Sequence, residues 1–167
     1  MPTPKPETKP LQVPPQQPPF VWVTFFEENA KFGTAYMLNS NAIGMKFNDS
    51  TGMVANSPFQ RLRYIDLVGQ ESELFEASAV PDRLAKKYKI ISYYQRELKT
   101  KKELYENGLN NEQIFEKERR RLKETDENAM TVWVTKLYKT SKAHFFWFNN
   151  RDYQVIFQDN TELLFSK

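Results

Sequence analysis

The chain's only histidine, His144, lies in the run Ala143-His144-Phe145-Phe146-Trp147-Phe148, and there is no cysteine. Thiol nucleophiles and thiolate metal sites are therefore excluded, and His144 has no second His or Cys to share a metal with. In such aromatic surroundings it reads as a core or sheet-face residue. Glu112, Glu116, Glu118 and Glu124 could offer carboxylates for acid–base work. They are interleaved with Lys117, Arg119, Arg120 and Arg121, the pattern of a solvated, salt-bridged helix face. The five glycines, Gly33, Gly44, Gly52, Gly69 and Gly108, form neither a phosphate-cradling loop nor a dinucleotide fingerprint. Kinase catalytic signatures are absent from the sequence. No catalytic residue, metal ligand or cofactor site is nominated, and the expectation is a non-enzymatic binding domain.

Binding chemistry has more to work with. Trp22 and Trp133 sit in matching strand-like runs, where a tryptophan either buries or offers a flat wall to a ligand. Residues 81–125 hold 13 Lys/Arg against 8 Asp/Glu. These charges fall on helical segments while the aromatics alternate as strand-core residues, so a single-stranded nucleic acid is a poor fit. An acidic or phosphorylated protein partner suits the same charges better. The net charge of +3 allows an anionic partner without demanding one.

The elements that must position these residues follow from composition and period. In 167 residues, 40% are apolar and 14% aromatic, enough for a sizeable core. No apolar run nears the roughly 18 residues that span a bilayer, and the N-terminus lacks a signal-like apolar core, so no membrane partner is expected. With no cysteine, this suits a soluble intracellular protein, in cytoplasm or nucleus. Residues 1–19 carry eight of the ten prolines and read as an extended linker, with bait for proline-reading domains the lesser alternative. From Phe20 short β-type runs follow: Val21 to Phe26, Ala35 to Leu38, Ile43 to Phe47, Met53 to Ala55, Leu62 to Leu67 and Leu74 to Glu76. After Pro81 the stripe Leu84, Tyr88, Ile91, Tyr94 and Leu98 has helical spacing, with Gly108 as its stop. A second, polar helix is expected from about Asn111 to Lys123, with Ile114, Phe115 and Leu122 to bury.

Strand texture returns at Thr131 as a copy. Val21-Trp22-Val23-Thr24 reappears as Val132-Trp133-Val134-Thr135, 111 residues on. Leu38-Asn39, Ile43, Met45, Phe47, Asp49, Thr51 and Met53 reappear 110 residues on as Phe148-Asn149, Tyr153, Val155, Phe157, Asp159, Thr161 and Leu163. Such register across strand, turn and strand marks an internal duplication. The predicted fold class is α+β: two repeated units of curved antiparallel sheet, about six strands in the first, each packed with a helix. The divisions are a proline-rich linker (1–19), a first unit (20–106), a charged helical linker (107–130) and the start of a second unit (131–167). Only six residues follow Thr161, so the second unit is expected to be incomplete, truncated or covered by something else.

This duplication resembles the tandem polo boxes of polo-like Ser/Thr kinases. The likeness rests on Trp22-Val23, on Lys31 to Leu38, on Gly44-Met45-Lys46-Phe47-Asn48-Asp49-Ser50-Thr51, on Tyr64-Ile65, on Lys86-Lys87 with Tyr93-Tyr94, and on Phe157-Gln158-Asp159. It implies a docking module that binds peptide segments of partner proteins, phosphorylated or not, in a groove between the boxes. It also implies delivery of a kinase to mitotic structures such as the centrosome or basal body. By resemblance the groove residues are Trp22, Asn160 and Glu162. In the family a His-x-Lys pair after the Phe-Gln-Asp turn grips phosphate; here the positions read Asn160-Thr161-Glu162. Since Glu162 repels a phosphate, the usual clamp is in doubt. The family's capping helix before the first strand is also excluded by the prolines of residues 1–19. The alternative is a phosphate-independent scaffold, or a self-associating module without an attached kinase.

Overall fold

The computed structural model describes residues 20–66, 72–120 and 130–166. The proline-rich segment 1–19 and residues 121–129, with Arg121 and Leu122, lie outside the described residues. Six strands form the first sheet: β1 (Val23–Asn29), β2 (Gly33–Leu38), β3 (Ile43–Phe47), β4 (Gly52–Ala55), β5 (Arg61–Ile65) and β6 (Ser72–Glu76). They run as an antiparallel meander in chain order. A single 3-10 turn, Asp82–Leu84, leads into α1 (Ala85–Asn107), and α2 (Asn111–Arg120) follows. The second sheet holds β7 (Val134–Lys139), β8 (Ala143–Phe148), β9 (Tyr153–Phe157) and β10 (Glu162–Phe165), ordered β10-β9-β8-β7.

The stripe read from the sequence is the buried face of α1. Leu84, Ile91, Tyr94 and Leu98 pack with Tyr88 onto Met37, Ile43, Met45, Phe47, Met53 and Leu62 of the first sheet. Burying each large side chain is worth about 1.5–3 kcal/mol, so this face anchors the helix. The helix is also pinned at the β3–β4 turn. Lys87 Nζ donates to Asp49 Oδ2 at 2.7 Å and to Thr51 Oγ1 at 2.6 Å. Gly108 ends α1 in a right-handed conformation at φ −84°, without a left-handed cap. Asn110 and Gln113 then exchange backbone-to-side-chain hydrogen bonds, a reciprocal cap that starts α2.

The expectation that Ile114 and Phe115 would bury is wrong: they are 37% and 67% exposed. The partly buried residues of α2 are Glu116 and Lys117, which with Gln113 line the hollow beside Trp22 and Tyr105. Ile114 and Phe115 do not line that hollow.

The duplication is borne out strand for strand. β7 repeats β1 at an offset of 111, and β8, β9 and β10 repeat β2, β3 and β4 at 110. The lost residue falls in the hairpin between the first two strands of each copy, after Asn29 and after Lys139. Each first strand has a bulge at the same place, between Val23 and Phe25 and between Val134 and Lys136. Ahead of it, Asn39 Oδ1 accepts from Trp22 N at 3.1 Å and Asn149 Oδ1 from Trp133 N at 2.8 Å. In the predicted turns, Asp49 Oδ1 accepts from Thr51 N at 3.0 Å and Asp159 Oδ1 from Thr161 N at 2.9 Å.

The two sheets meet across a shared core of Val21, Val23, Tyr36, Leu38, Val134, Phe146, Phe148 and Ile156. Tyr36, 1% exposed, crosses it so that its hydroxyl accepts from Val134 N at 3.0 Å. Burial pushes that hydroxyl far above its ordinary pKa, so it stays neutral and available. The ring fits because residue 44 is glycine: a Cβ there would lie 2.0 Å from Tyr36 Cζ. Tyr36→Phe keeps the ring but strands the Val134 N–H, and is expected to cost about 1–3 kcal/mol. Gly44→Ala must expel the ring as well and is expected to cost more, about 2–5 kcal/mol. Urea denaturation checks the order; an unchanged midpoint for Tyr36→Phe would show that Val134 does not depend on the hydroxyl.

Candidate functional site

β1 and β7 are edge strands of their sheets, and each lies against the other box. β1 is held there by Gln154, which is 1% exposed. Its Oε1 accepts from Val23 N at 2.7 Å and its Nε2 donates to Val23 O at 2.9 Å. A side-chain amide thus completes one rung of an unpaired strand edge. Nearby, the Glu28 carboxylate takes Lys139 Nζ at 3.0 Å and His144 Nε2 at 2.7 Å. Burial opposes ionisation of Glu28, yet these two partners hold its pKa below the usual carboxylate value. His144 is therefore a partly exposed sheet-face residue, packed on Phe26 with ring centroids 4.8 Å apart.

Where the sheets part, a cleft of about 670 Å³ opens between the boxes. All three residues singled out in the sequence line it: Trp22 before β1, Asn160 in the β9–β10 turn and Glu162 at the start of β10. Trp22 is half-buried and joins none of the buried core clusters. Its repeat partner Trp133, by contrast, packs beside Val54, Ile65 and Met130 with the Arg63 guanidinium 5.5 Å from its ring. Asn160 has φ 66°, the left-handed turn conformation that asparagine tolerates.

The remaining wall comes from residues that sequence reasoning did not nominate. Phe25 and Tyr105 meet edge to face at 5.7 Å. Lys117 Nζ sits 5.2 Å and 4.8 Å from the centres of those rings and 3.3 Å from Glu106 Oε1. Lys101 Nζ donates to Phe26 O at 3.1 Å. The signal for Tyr105 was available: it lies seven residues beyond Leu98, two turns further along the same face of α1. Lys117 is ion-paired but makes no hydrogen bond among the described residues, and Lys101 uses one of its three N–H groups. Glu162 is exposed as a residue, but its carboxyl turns toward the cleft. Burial there raises its pKa above 4.5, opposed by a long 3.4 Å contact from Gln154 Nε2. A smaller hollow of about 370 Å³ adjoins the cleft behind Trp22, Tyr105 and Lys117. Among the described residues no three His, Cys, Asp or Glu side chains gather as metal ligands. The arrangement is an aromatic slot bordered by two lysines and one carboxylate.

A duplicated curved sheet, a long helix across the first copy and a slot between the copies define a tandem-box docking fold. Residues 30–88 match the family model for the "POLO box duplicated region". Among relatives, the chain is 26% identical over 148 residues to the serine/threonine-protein kinase PLK1 of Xenopus laevis, covering 87% of this chain and 23% of the relative. It is 25% identical over 151 residues to the serine/threonine-protein kinase polo of Drosophila melanogaster, covering 90% and 24%. The chain therefore spans about a quarter of the length of these relatives. Among solved structures, the budding yeast Cdc5 polo-box domain in complex with an Spc72 phosphopeptide superposes with a TM-score of 0.65 at 18% identity, over 88% of this chain and 51% of that one. The same domain in complex with the Dbf4 polo-interacting region gives 0.66 at 16%, over 95% and 57%. The match over residues 30–88, the relatives and the shared fold together support a polo-box domain of the polo-like kinase type, and the region matched in those kinases is the non-catalytic polo-box region.

The half-sunk Glu162 has a stability consequence with a definite sign. Its folded pKa is raised, so its favourable contribution is full below the ordinary value and is lost as pH rises through the folded value. Glu162→Gln is expected to raise the thermal midpoint at pH 7 and to leave it nearly unchanged at pH 4. Equal shifts at both pH values would show that the carboxyl is not held in the cleft.

Proposed function

We propose that this polo-box domain docks partner proteins by taking an extended peptide segment into the cleft between its boxes, and so brings an attached polo-like kinase to those partners. The observation that carries the reading is the convergence of Trp22, Phe25, Tyr105, Asn160 and Glu162, from both boxes, on one slot. A flat aromatic wall beside an edge strand can hold an extended chain by stacking and by main-chain hydrogen bonds. The Cdc5 domains of like fold are described in complex with peptides, one phosphorylated, which supports a peptide as occupant. Targets at mitotic structures, such as the centrosome or basal body, follow from the same reading.

A second reading is favoured by one residue. Glu162 replaces the family's phosphate-gripping lysine with a like charge, and Asn160 offers only a neutral amide. In this cleft, then, recognition does not depend on phosphate, and the cleft serves a phosphate-independent scaffold or self-associating unit. Titrating paired peptides with and without phosphate, alongside sedimentation of the chain alone over rising concentration, separates the two. Under both peptide readings Trp22→Ala is expected to weaken peptide binding about tenfold or more, the loss typical of a central aromatic anchor. Circular dichroism should show the fold retained, since Trp22 lies outside the core clusters. Undiminished affinity would move the binding surface elsewhere.

A further inference from the structure

The pseudo-twofold relation between the boxes implies a mate for the cleft, and the structure has one. It measures about 480 Å³ and lies between β7 and the β3–β4 turn. Thr24, Phe25 and Phe26 in the first cleft become Thr135, Lys136 and Leu137 in the second. Ile156 and Asn160 become Lys46 and Ser50. Glu162 corresponds to Gly52, which has no side chain. Duplication has thus produced two clefts of one plan with different linings: aromatics, two lysines and the Glu162 carboxylate in the first, Lys46 and Lys136 with no carboxylate in the second.

The cations of the second cleft are under-used. Lys46 Nζ donates to Ser50 O at 2.8 Å, which leaves two of its three N–H groups without a protein acceptor. Burial lowers its pKa, against the raising pull of Asp49. The Asp49 carboxylate itself is taken by Lys87 and Thr51. Among the described residues, neither Lys46 nor Lys136 has a carboxylate within ion-pair distance. The Thr135 hydroxyl is committed to Trp147 O at 3.1 Å, while Thr34 and Ser50 also line the hollow. Alongside runs β7, an edge strand along which an extended segment can pair.

We propose that this second cleft is a phosphate-binding site, in which Lys46 and Lys136, with the hydroxyls of Thr34 and Ser50, hold a phosphorylated side chain of an extended partner segment. A phosphate monoester carries a charge of about −1.5 to −2 and three acceptor oxygens, matching two ammonium groups and two hydroxyl donors. The first cleft, with Glu162, rejects that charge. The proposal does not depend on what fills the first cleft.

The test uses the full chain and two degenerate peptide pools that differ only at a fixed central position, phosphothreonine or threonine. The expected result is at least a tenfold preference for the phosphorylated pool at low salt, lost in Lys136→Glu and in Lys46→Met. Lys89→Glu, an exposed position on α1 with the same charge change as Lys136→Glu, is expected to keep it. Because Lys46→Met touches a turn, amide shifts of the wild-type chain titrated with phenyl phosphate give a second reading. Shifts at Lys46, Ser50 and Lys136 support the site. Absence of a phosphate preference, its survival in both lysine variants, or shifts centred on Asn160 and Glu162 would each overturn it.

Discussion

Two backbone amides govern how the boxes join. Val23 and Val134 each begin a bulged edge strand, and each is pressed against the opposite box at no more than 3% exposure. A buried N–H without an acceptor costs about 1–3 kcal/mol, so both amides must find a partner across the interface. The two boxes meet this need differently. Val23 is served by Gln154, a long amide that bonds both its N–H and its carbonyl. Val134 is served by the Tyr36 hydroxyl, which needs Gly44 beneath it. Gly44 and Gln154 are the same position of the repeat, and so are Tyr36 and Phe146. One symmetric requirement has been met by an asymmetric exchange: a small residue where the neighbour is large, and a long polar one where the neighbour lacks a hydroxyl.

The same symmetry explains the salt bridge at the rim. Glu28 and Lys139 are repeat equivalents, and they pair with each other. In an interface between identical copies, a residue that meets its own counterpart meets its own charge. Fusing the copies in one chain removes that restriction and lets one side change sign. The clefts flanking the interface have diverged in the same manner, one turning aromatic with a carboxylate, the other basic. Divergence of the two boxes is therefore what turns a self-complementary joint into a surface with two distinct faces.

Much of this was legible in the sequence because period and repeat act locally. The alternation of Ile43, Met45 and Phe47 and the spacing of Leu84, Ile91, Tyr94 and Leu98 each specify one buried face, and the structure buries those faces. The Asp49 and Asp159 turns were readable for the same reason, as both bonds span two residues. The groove residues Trp22, Asn160 and Glu162 came from family likeness; nothing in local spacing brings residues so far apart in the chain to one slot. Gln154 shows the limit most clearly. In the sequence it is a polar residue inside a strand, and only the approach of Val23, 131 positions away, makes it the joint of the molecule. Ile114 and Phe115 misled in the opposite sense, because apolarity alone does not say which side of a polar helix has a neighbour.

The electrostatics of the main cleft follow from this geometry rather than from composition. The chain has a net charge of +3, and two lysines line the slot, which would suggest an anion site. Each lysine, however, is engaged where it stands. Lys117 lies over Phe25 and Tyr105 with Glu106 at its ammonium, and Lys101 is tied to the Phe26 carbonyl at the strand edge. Lys117 is thus tied by charge to Glu106 although its ammonium makes no hydrogen bond among the described residues, and drawing it to a ligand would weaken that ion pair. Glu162 has only the long contact from Gln154 Nε2. The long Lys117 stem also couples α2 to β1 and α1, so the segment between the boxes contributes a wall of the site as well as joining them. A partner segment entering this slot meets an aromatic surface with Lys117 paired to Glu106 and Lys101 bonded to a backbone carbonyl. Lys46 and Lys136, which among the described residues have no carboxylate at ion-pair distance, stand on the far side of the same interface, at the mate of this cleft.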